Sequence, residues 1–222
     1  MTGRNGIPLR PAFSTMNIDP GIVTAYAKEF GALSPKRRVA FLSLIEMISV
    51  HPAWSDVRQI AYLLATIKHE TADTYQPIIE RGARSYFAKY NAGTRLGKAL
   101  GNTEPGDGFR FRGRGFVQIT GRANYRKLSD ALPTDVLLVA NPDLACDPAI
   151  AFQIASIGMQ RGLFTGRRIG QYVSAAKCDY VNARRVINGL DRAQLIANYA
   201  NRFERLLFRF ASPTSPVSEE LA

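Results

Sequence analysis

The sequence predicts a mainly α-helical fold with one small β element. Two observations carry this. Apolar residues recur at helical spacing through most of the chain, and three of the segments open on an Asp-Pro or Ser-Pro pair, at 19–20, 34–35 and 147–148, the signature of an N-cap followed by proline at the first helical position. Only Phe116-Val117-Gln118-Ile119-Thr120 reads as a short alternating strand. Alternation would place Phe116, Gln118 and Thr120 on one face and Val117 and Ile119 on the other.

Residues 1–17 read as an irregular arm, and Asp19-Pro20 and Ser34-Pro35 then open helices over about 20–31 and 35–50. The second of these is apolar nearly all round (Val39, Phe41, Leu42, Leu44, Ile45, Met47, Ile48), which predicts a central buried helix. Ser55 or Asp56 caps a third helix, whose stripe Ile60, Leu63, Leu64, Ile67 leads to Glu70 and Thr71; Pro77 forbids its continuation. Residues 83–115, rich in glycine, asparagine and charge, read as mostly loop. After the strand come helices at about 121–131, from Asp147-Pro148 onward, near 170–187 ending at Asn188-Gly189, and at about 191–210. The expected organisation is one domain over 18–211, with a disordered tail at 212–222.

The chain of 222 residues is long enough for a full core. No apolar run reaches the length of a membrane span, and the first residues lack the apolar core of a signal peptide, so synthesis and retention in the cytoplasm are expected. Cys146 and Cys178 cannot build a disulfide framework and read as two buried free thiols. The formal net charge of +11 favours a polyanionic partner: nucleic acid, an anionic cell wall or an anionic membrane face. Arg110, Arg112, Arg114, Arg122, Arg126 and Lys127 fall in a stretch with no acidic residue, and Arg161, Arg167, Arg168, Arg184 and Arg185 form a second basic group.

Glu70 extends an apolar helical face near that helix's C-terminal end, where burial and the helix dipole both oppose a negative charge. A carboxyl whose pKa is raised in this way can act as a general acid near neutral pH. The bland alternative is a helix-end glutamate reaching solvent. Glu80, beyond Pro77, belongs to another element and can stand across a cleft; Arg81 beside it would keep it ionised, and an exposed ion pair with Arg81 or Arg84 is its ordinary reading. His69-Glu70 opens like a zincin motif, but position 73 is aspartate, so no metal site is expected and His69 reads as a hydrogen-bonding neighbour of the acid.

HET at 69–71, ERG at 80–82, RGRGFVQITGRANY at 112–125, NPD at 141–143 and ING at 187–189 occur in the order seen in glycoside hydrolase family 19, which the chain therefore resembles over roughly 55–210. That family includes plant-type chitinases and bacteriophage endolysins, and the few cysteines and missing signal peptide resemble the endolysin branch. The resemblance implies a lysozyme-like fold of two helical lobes around a cleft, no cofactor, and an inverting mechanism. It implies Glu70 as general acid, Glu80 as general base and Thr120, where the family usually has serine, as the hydroxyl that positions the attacking water. Gln118 and Asn124 match sugar-binding positions, Tyr125 and Asn188 match cleft-lining ones, and Arg81 and Arg192 resemble arginines that hold the carboxylates. The loop after Asn188-Gly189 is shorter than in plant enzymes, which weakens the match for Arg192. Thr120 has the simpler reading of a helix N-cap and Asn188 that of a C-cap.

The expected function is a monomeric endolysin that cuts β-1,4 bonds of peptidoglycan, reaching the wall by holin-dependent release and aided by contact with an anionic outer membrane. Chitin hydrolysis is the alternative. A non-enzymatic nucleic-acid-binding module is the third, for which the chain shows no recognisable motif. Arg202, Arg205 and Arg209 flank the apolar face of the last helix, a pattern shared by membrane-surface helices, although docking on the core with solvated arginines is the ordinary explanation.

Overall fold

The structure, a computed structural model, describes residues 15–214 apart from 134 and 175. Its centre is α3 (Val57–Glu70), started by Asp56, whose carboxylate accepts from the amides of Arg58 and Gln59. Every residue from Ile60 to Lys68 on this helix is buried. It packs chiefly against α9 (Ala193–Phe210), which buries Ile196, Ala200, Phe203 and Leu207 on one side. The sequence assigned the central position to α2 (Pro35–Ser49), but Val39 is 66% exposed and α2 buries only the face of Ala40, Phe41, Leu44, Ile45 and Ile48. The helix nearly continuous in apolar residues is thus peripheral. α3 is central, and Tyr62, Thr66 and Lys68 are buried with its aliphatic residues.

Lys68 shows how such burial is tolerated. Its ammonium donates to the Tyr26 hydroxyl at 3.1 Å, pairs with Asp73, and lies 4.6 Å from the centre of the Phe30 ring. An ion pair and aromatic faces replace the water that a lysine would otherwise require. Tyr26 and Phe30 belong to α1 (Ile22–Phe30), so this one side chain ties α1 to α3. Asp19 does not cap α1 as expected; its carboxylate accepts from the amide of Gly21, which itself holds the N-cap position.

The two ends of the described stretch meet. β1 (Met16–Ile18) pairs antiparallel with β6 (Ala211–Pro213). The irregular arm expected through residue 17 and the tail expected from 212 therefore both enter a strand pair where they are described; residues 1–14 and 215–222 lie outside the described residues.

The second group of elements spans the stretch read as mostly loop. It holds β2 (Ile78–Ile79), a 3-10 helix (Arg84–Tyr90), α4 (Arg95–Ala99), α5 (Asp107–Arg110), β3 (Arg114–Gly115) and α6 (Arg122–Ala131). The helices between 84 and 110 are too short to show a periodic stripe, and hydrogen bonds from side chains hold them, whereas α6 matches the helix expected at 121–131. Asn102 donates to Tyr90 O at 2.7 Å and accepts from the Arg122 amide at 2.7 Å. Asp107 takes a two-pronged ion pair from Arg122 at 2.7 and 2.6 Å and the amides of Thr103 and Glu104. β2 pairs antiparallel with β3.

The expected strand at 116–120 is instead a tight turn. Arg114 and Ile119 exchange both backbone hydrogen bonds at 3.2 and 3.0 Å, and the chain reverses between them. Phe116, Val117 and Ile119 are all buried, so alternation fails. The short apolar run closes a hairpin over the core rather than extending a sheet.

α7 (Pro148–Arg161) starts at Asp147 as expected, and Trp54 Nε1 donates to Ser156 on it at 2.8 Å. The helix expected near 170–187 is broken into a 3-10 turn (Ile169–Gln171), the hairpin β4 (Val173–Ser174) with β5 (Lys177–Cys178), α8 (Tyr180–Ala183) and a 3-10 turn (Arg184–Val186). Both cysteines are free, but neither is fully buried: Cys146 is half-buried and Cys178 exposed.

Candidate active site

Glu70 is the last residue of α3, and the chain must leave the helix abruptly there. Thr71 makes this turn: its hydroxyl donates to Ile67 O at 2.7 Å and accepts from the Tyr75 amide at 3.1 Å. Ala72, Asp73 and Tyr75 follow with φ of 48°, 64° and 54°. Three non-glycine residues in the left-handed region within four positions are costly locally. The exit is held by buried Tyr75, whose hydroxyl meets that of Tyr26 at 2.8 Å.

The Glu70 carboxylate meets Arg184 Nη1 at 2.6 Å. The arginine side chain is 4% exposed and the glutamate side chain 17% exposed, so the guanidinium lies beneath and the carboxylate faces the opening. Arg184 Nε donates to Asp191 O at 3.1 Å, which fixes the guanidinium plane. This partner was missed from sequence. Arg81 and Arg192, the arginines matched to that task, are both exposed, and among the described residues neither pairs with a carboxylate. Arg192 sits at φ 58° as the residue before α9. In Ala183-Arg184-Arg185-Val186 the structure buries Ala183, Arg184 and Val186 and leaves Arg185 half-buried. The sequence reading of Glu70 as an acid in apolar surroundings also omitted this cationic neighbour.

Glu70 shares a pocket of about 260 Å³ with Gln118, Thr120, Asn124, Phe164 and Asn188. The turn 116–119 presents Gln118 at φ 53°, and its amide donates to Ile78 O at 2.8 Å and Gly115 O at 3.1 Å. The residue is thereby pinned to both β2 and β3. Thr120 Oγ1 donates to Gln118 O at 3.1 Å, so its lone pairs remain available to accept. It does not cap α6; Gly121 stands at that position, at φ 89° and packed so tightly that a Cβ would lie 2.6 Å from Leu100 O. Asn124 donates to Thr120 O at 2.8 Å, locking the start of α6 against the pocket wall. Asn188 accepts from the Gly189 amide at 2.9 Å and keeps its own amide hydrogens for the opening.

Tyr125 does not line the pocket. It is fully buried, donates to Arg112 O at 2.8 Å and contacts Arg114 Nη1 at 3.1 Å. Burial pushes its phenol up to about 12, as befits a neutral scaffold hydroxyl. His69 is half-buried and lines neither this pocket nor the neighbouring groove.

Glu80 lies on that neighbouring groove, of about 1030 Å³. It follows β2 and pairs with Gly113 twice: its amide donates to Gly113 O at 2.8 Å, and its carboxylate accepts from Gly113 N at 3.0 Å. A Cβ at position 113 would lie 2.8 Å from Gln118 Oε1 and 3.2 Å from Glu80 Oε2, so any larger residue there would displace one or both of these side-chain ends. Gln118 lines both the pocket and the groove, so it is the residue that joins them. Thr120 lines only the Glu70 side.

The arginine-rich segment turns out to be mostly bracing. Arg114 is buried on Asp143 at 2.8 Å and on Arg110 O at 2.8 Å; Arg122 is held by Asp107; Arg110 donates to Val139 O at 3.1 Å. Arg112 alone of these four reaches the groove.

The molecule thus has a mainly helical fold of two element groups around a cleft, with two carboxylates and a set of amide and hydroxyl groups along it. Solved structures share this fold. Chitinase C from Streptomyces griseus superposes with a TM-score of 0.57 at 20% identity, over 84% of this chain and 76% of that one. A point mutant of chitinase C gives 0.52 at 21% identity over 84% and 90%, and a bacterial family 19 chitinase gives 0.52 at 20% over 84% and 95%. No family model matches the chain, and no curated protein matches it in sequence.

Proposed function

We propose that the protein is a glycoside hydrolase of the endolysin type, which cuts β-1,4 bonds in bacterial peptidoglycan by single displacement. The observation that carries this is the pocket in which Glu70, seated on Arg184, faces Gln118, Thr120, Asn124 and Asn188. A carboxyl group at the opening can protonate a leaving sugar oxygen, while amides around it hold hydroxyl and acetamido groups. Glu80 stands on the adjoining groove and is fixed by Gly113, with one oxygen left to accept a proton from water.

The two carboxylates line different cavities joined by Gln118. That arrangement favours the wide spacing of roughly 6.5–9.5 Å that leaves room for a water, over the roughly 5 Å of a retaining pair. Thr120, its hydrogen engaged with Gln118 O, would accept a hydrogen bond from that water. The net charge of +11 fits an anionic wall better than neutral chitin.

A comparison of substrates tests the reading. Lysis of chloroform-treated Gram-negative cells is expected to exceed release of sugar from colloidal chitin at equal enzyme. Hydrolysis of chitin with no lysis would assign the site to a chitinase instead.

A further inference from the structure

The groove beside Glu80 carries more than the chemistry of bond cleavage requires. Lys36, Arg81 and Arg112 line it against one carboxylate, Glu80, whose Oε2 is engaged with Gly113. Lys36 stands in the first turn of α2 and Arg81 directly after Glu80, so the cations come from separate elements.

Arg112 is the telling one. It is half-buried, gives one N–H to Phe109 O at 2.8 Å, and rests 4.0 Å from the centre of the Phe109 ring. Arg84 lies 4.6 Å from the same ring. The nearby aspartate, Asp143, is taken by Arg114. Among the described residues no carboxylate pairs with Arg112, Lys36 or Arg81. Burial, with the charge of Arg114 added, lowers the Arg112 pKa from its ordinary value. A partly desolvated guanidinium that no carboxylate pairs with, opening on a groove with two further cations, is complementary to an anion.

A neutral polysaccharide would leave these cations without partners. Peptidoglycan differs from chitin in carrying peptide stems with free carboxylates. We propose that this groove binds stem carboxylates next to the scissile bond and so selects peptidoglycan over chitin. The inference rests on the peptidoglycan reading above and names the groups that would enforce it. Because Gln118 belongs to both cavities, a glycan held at Glu70 presents its next stem to the groove.

The test compares soluble stem-bearing glycan fragments with the same fragments after their carboxylates are amidated, a treatment that leaves any phosphate untouched. Amidation is expected to raise the wild-type KM roughly tenfold. Lys36→Gln with Arg81→Gln, and separately Arg112→Gln, should raise KM on acidic fragments by roughly three- to tenfold and on amidated fragments by less than about twofold, the coupling expected of groups in contact. Thermal melts check folding. If Arg112→Gln does not fold, the double variant of the two exposed residues decides. Equal losses on both substrates, or none on either, overturn the inference while leaving the peptidoglycan reading intact. A wild-type enzyme that cuts chito-oligosaccharides and neither kind of fragment overturns both.

Discussion

Glu70 and Arg184 form the contact on which the proposed chemistry turns. The guanidinium is buried and fixed by Asp191 O, so it sets where the carboxyl group points. Arg184→Gln keeps some hydrogen-bonding capacity but removes the charge and the Nε donor to Asp191 O. Its expected effect is a fall in kcat of about tenfold or more with little change in KM, since the residue lines neither cavity and acts through Glu70. Steady-state kinetics on soluble glycan fragments would show it; a rise in KM at constant kcat would place Arg184 in substrate binding instead. Glu70, Gln118, Thr120, Asn124 and Asn188 were legible in the sequence because they sit in motifs with a fixed order. Arg184 was not, because its inward position depends on Ala183 and Val186 packing in a segment that reads as one continuous helix. Tyr125 was misplaced for the opposite reason: it neighbours Asn124 in the motif, but 3.6-residue periodicity turns it to the core.

Among the elements, the long helices α1, α2, α3, α7 and α9 were legible from periodicity, and α2, α3 and α7 also from the caps Ser34, Asp56 and Asp147. The short ones between 84 and 110 were not, because their stability comes from distant polar partners rather than from an apolar stripe. Asp107 is the clearest case. Burial alone would push its carboxyl up, but the Arg122 hydrogen bonds, the amides of Glu104 and Thr103 and the Arg122 charge together hold it below the usual carboxylate range. A carboxyl lowered in the folded state contributes fully above its unfolded pKa, roughly 3.9, and the contribution is lost as pH falls from there through the folded value. Asp107→Asn, which removes a charge from a buried pair, should cost about 3 kcal/mol near neutral pH. Urea titrations are expected to show that gap between wild type and variant narrowing as pH falls below about 4. A gap that stays constant down to pH 2 would mean that Asp107 owes its effect to shape, not charge. The turn at 116–119 shows a second limit of legibility. A run of alternating letters fits a strand equally well, and only the exchange of hydrogen bonds between Arg114 and Ile119 decides for a hairpin.

On the scale of the whole molecule, the positive charge is divided between two tasks. Arg114, Arg122 and Arg184 are internal braces, each bound to a carboxylate. Lys36, Arg81 and Arg112 face the groove. Composition alone could not separate these groups, and their separation assigns part of the charge to the core and part to the groove. The fold brings α3, the continuous stretch of the 116–120 turn and α6, and the segment at 187–188 to one pocket, although these three are far apart in sequence. The central claim is that Glu70 in this pocket cleaves glycosidic bonds of the cell wall. The most direct measurement is the rate at which purified sacculi yield new reducing-end sugars, identified by mass spectrometry of the released muropeptides, for wild type and Glu70→Gln. The account predicts reducing ends from the wild type and a rate about 100- to 10,000-fold lower from a folded Glu70→Gln variant. Release of peptides without new reducing ends, or an undiminished rate in the variant, would contradict it.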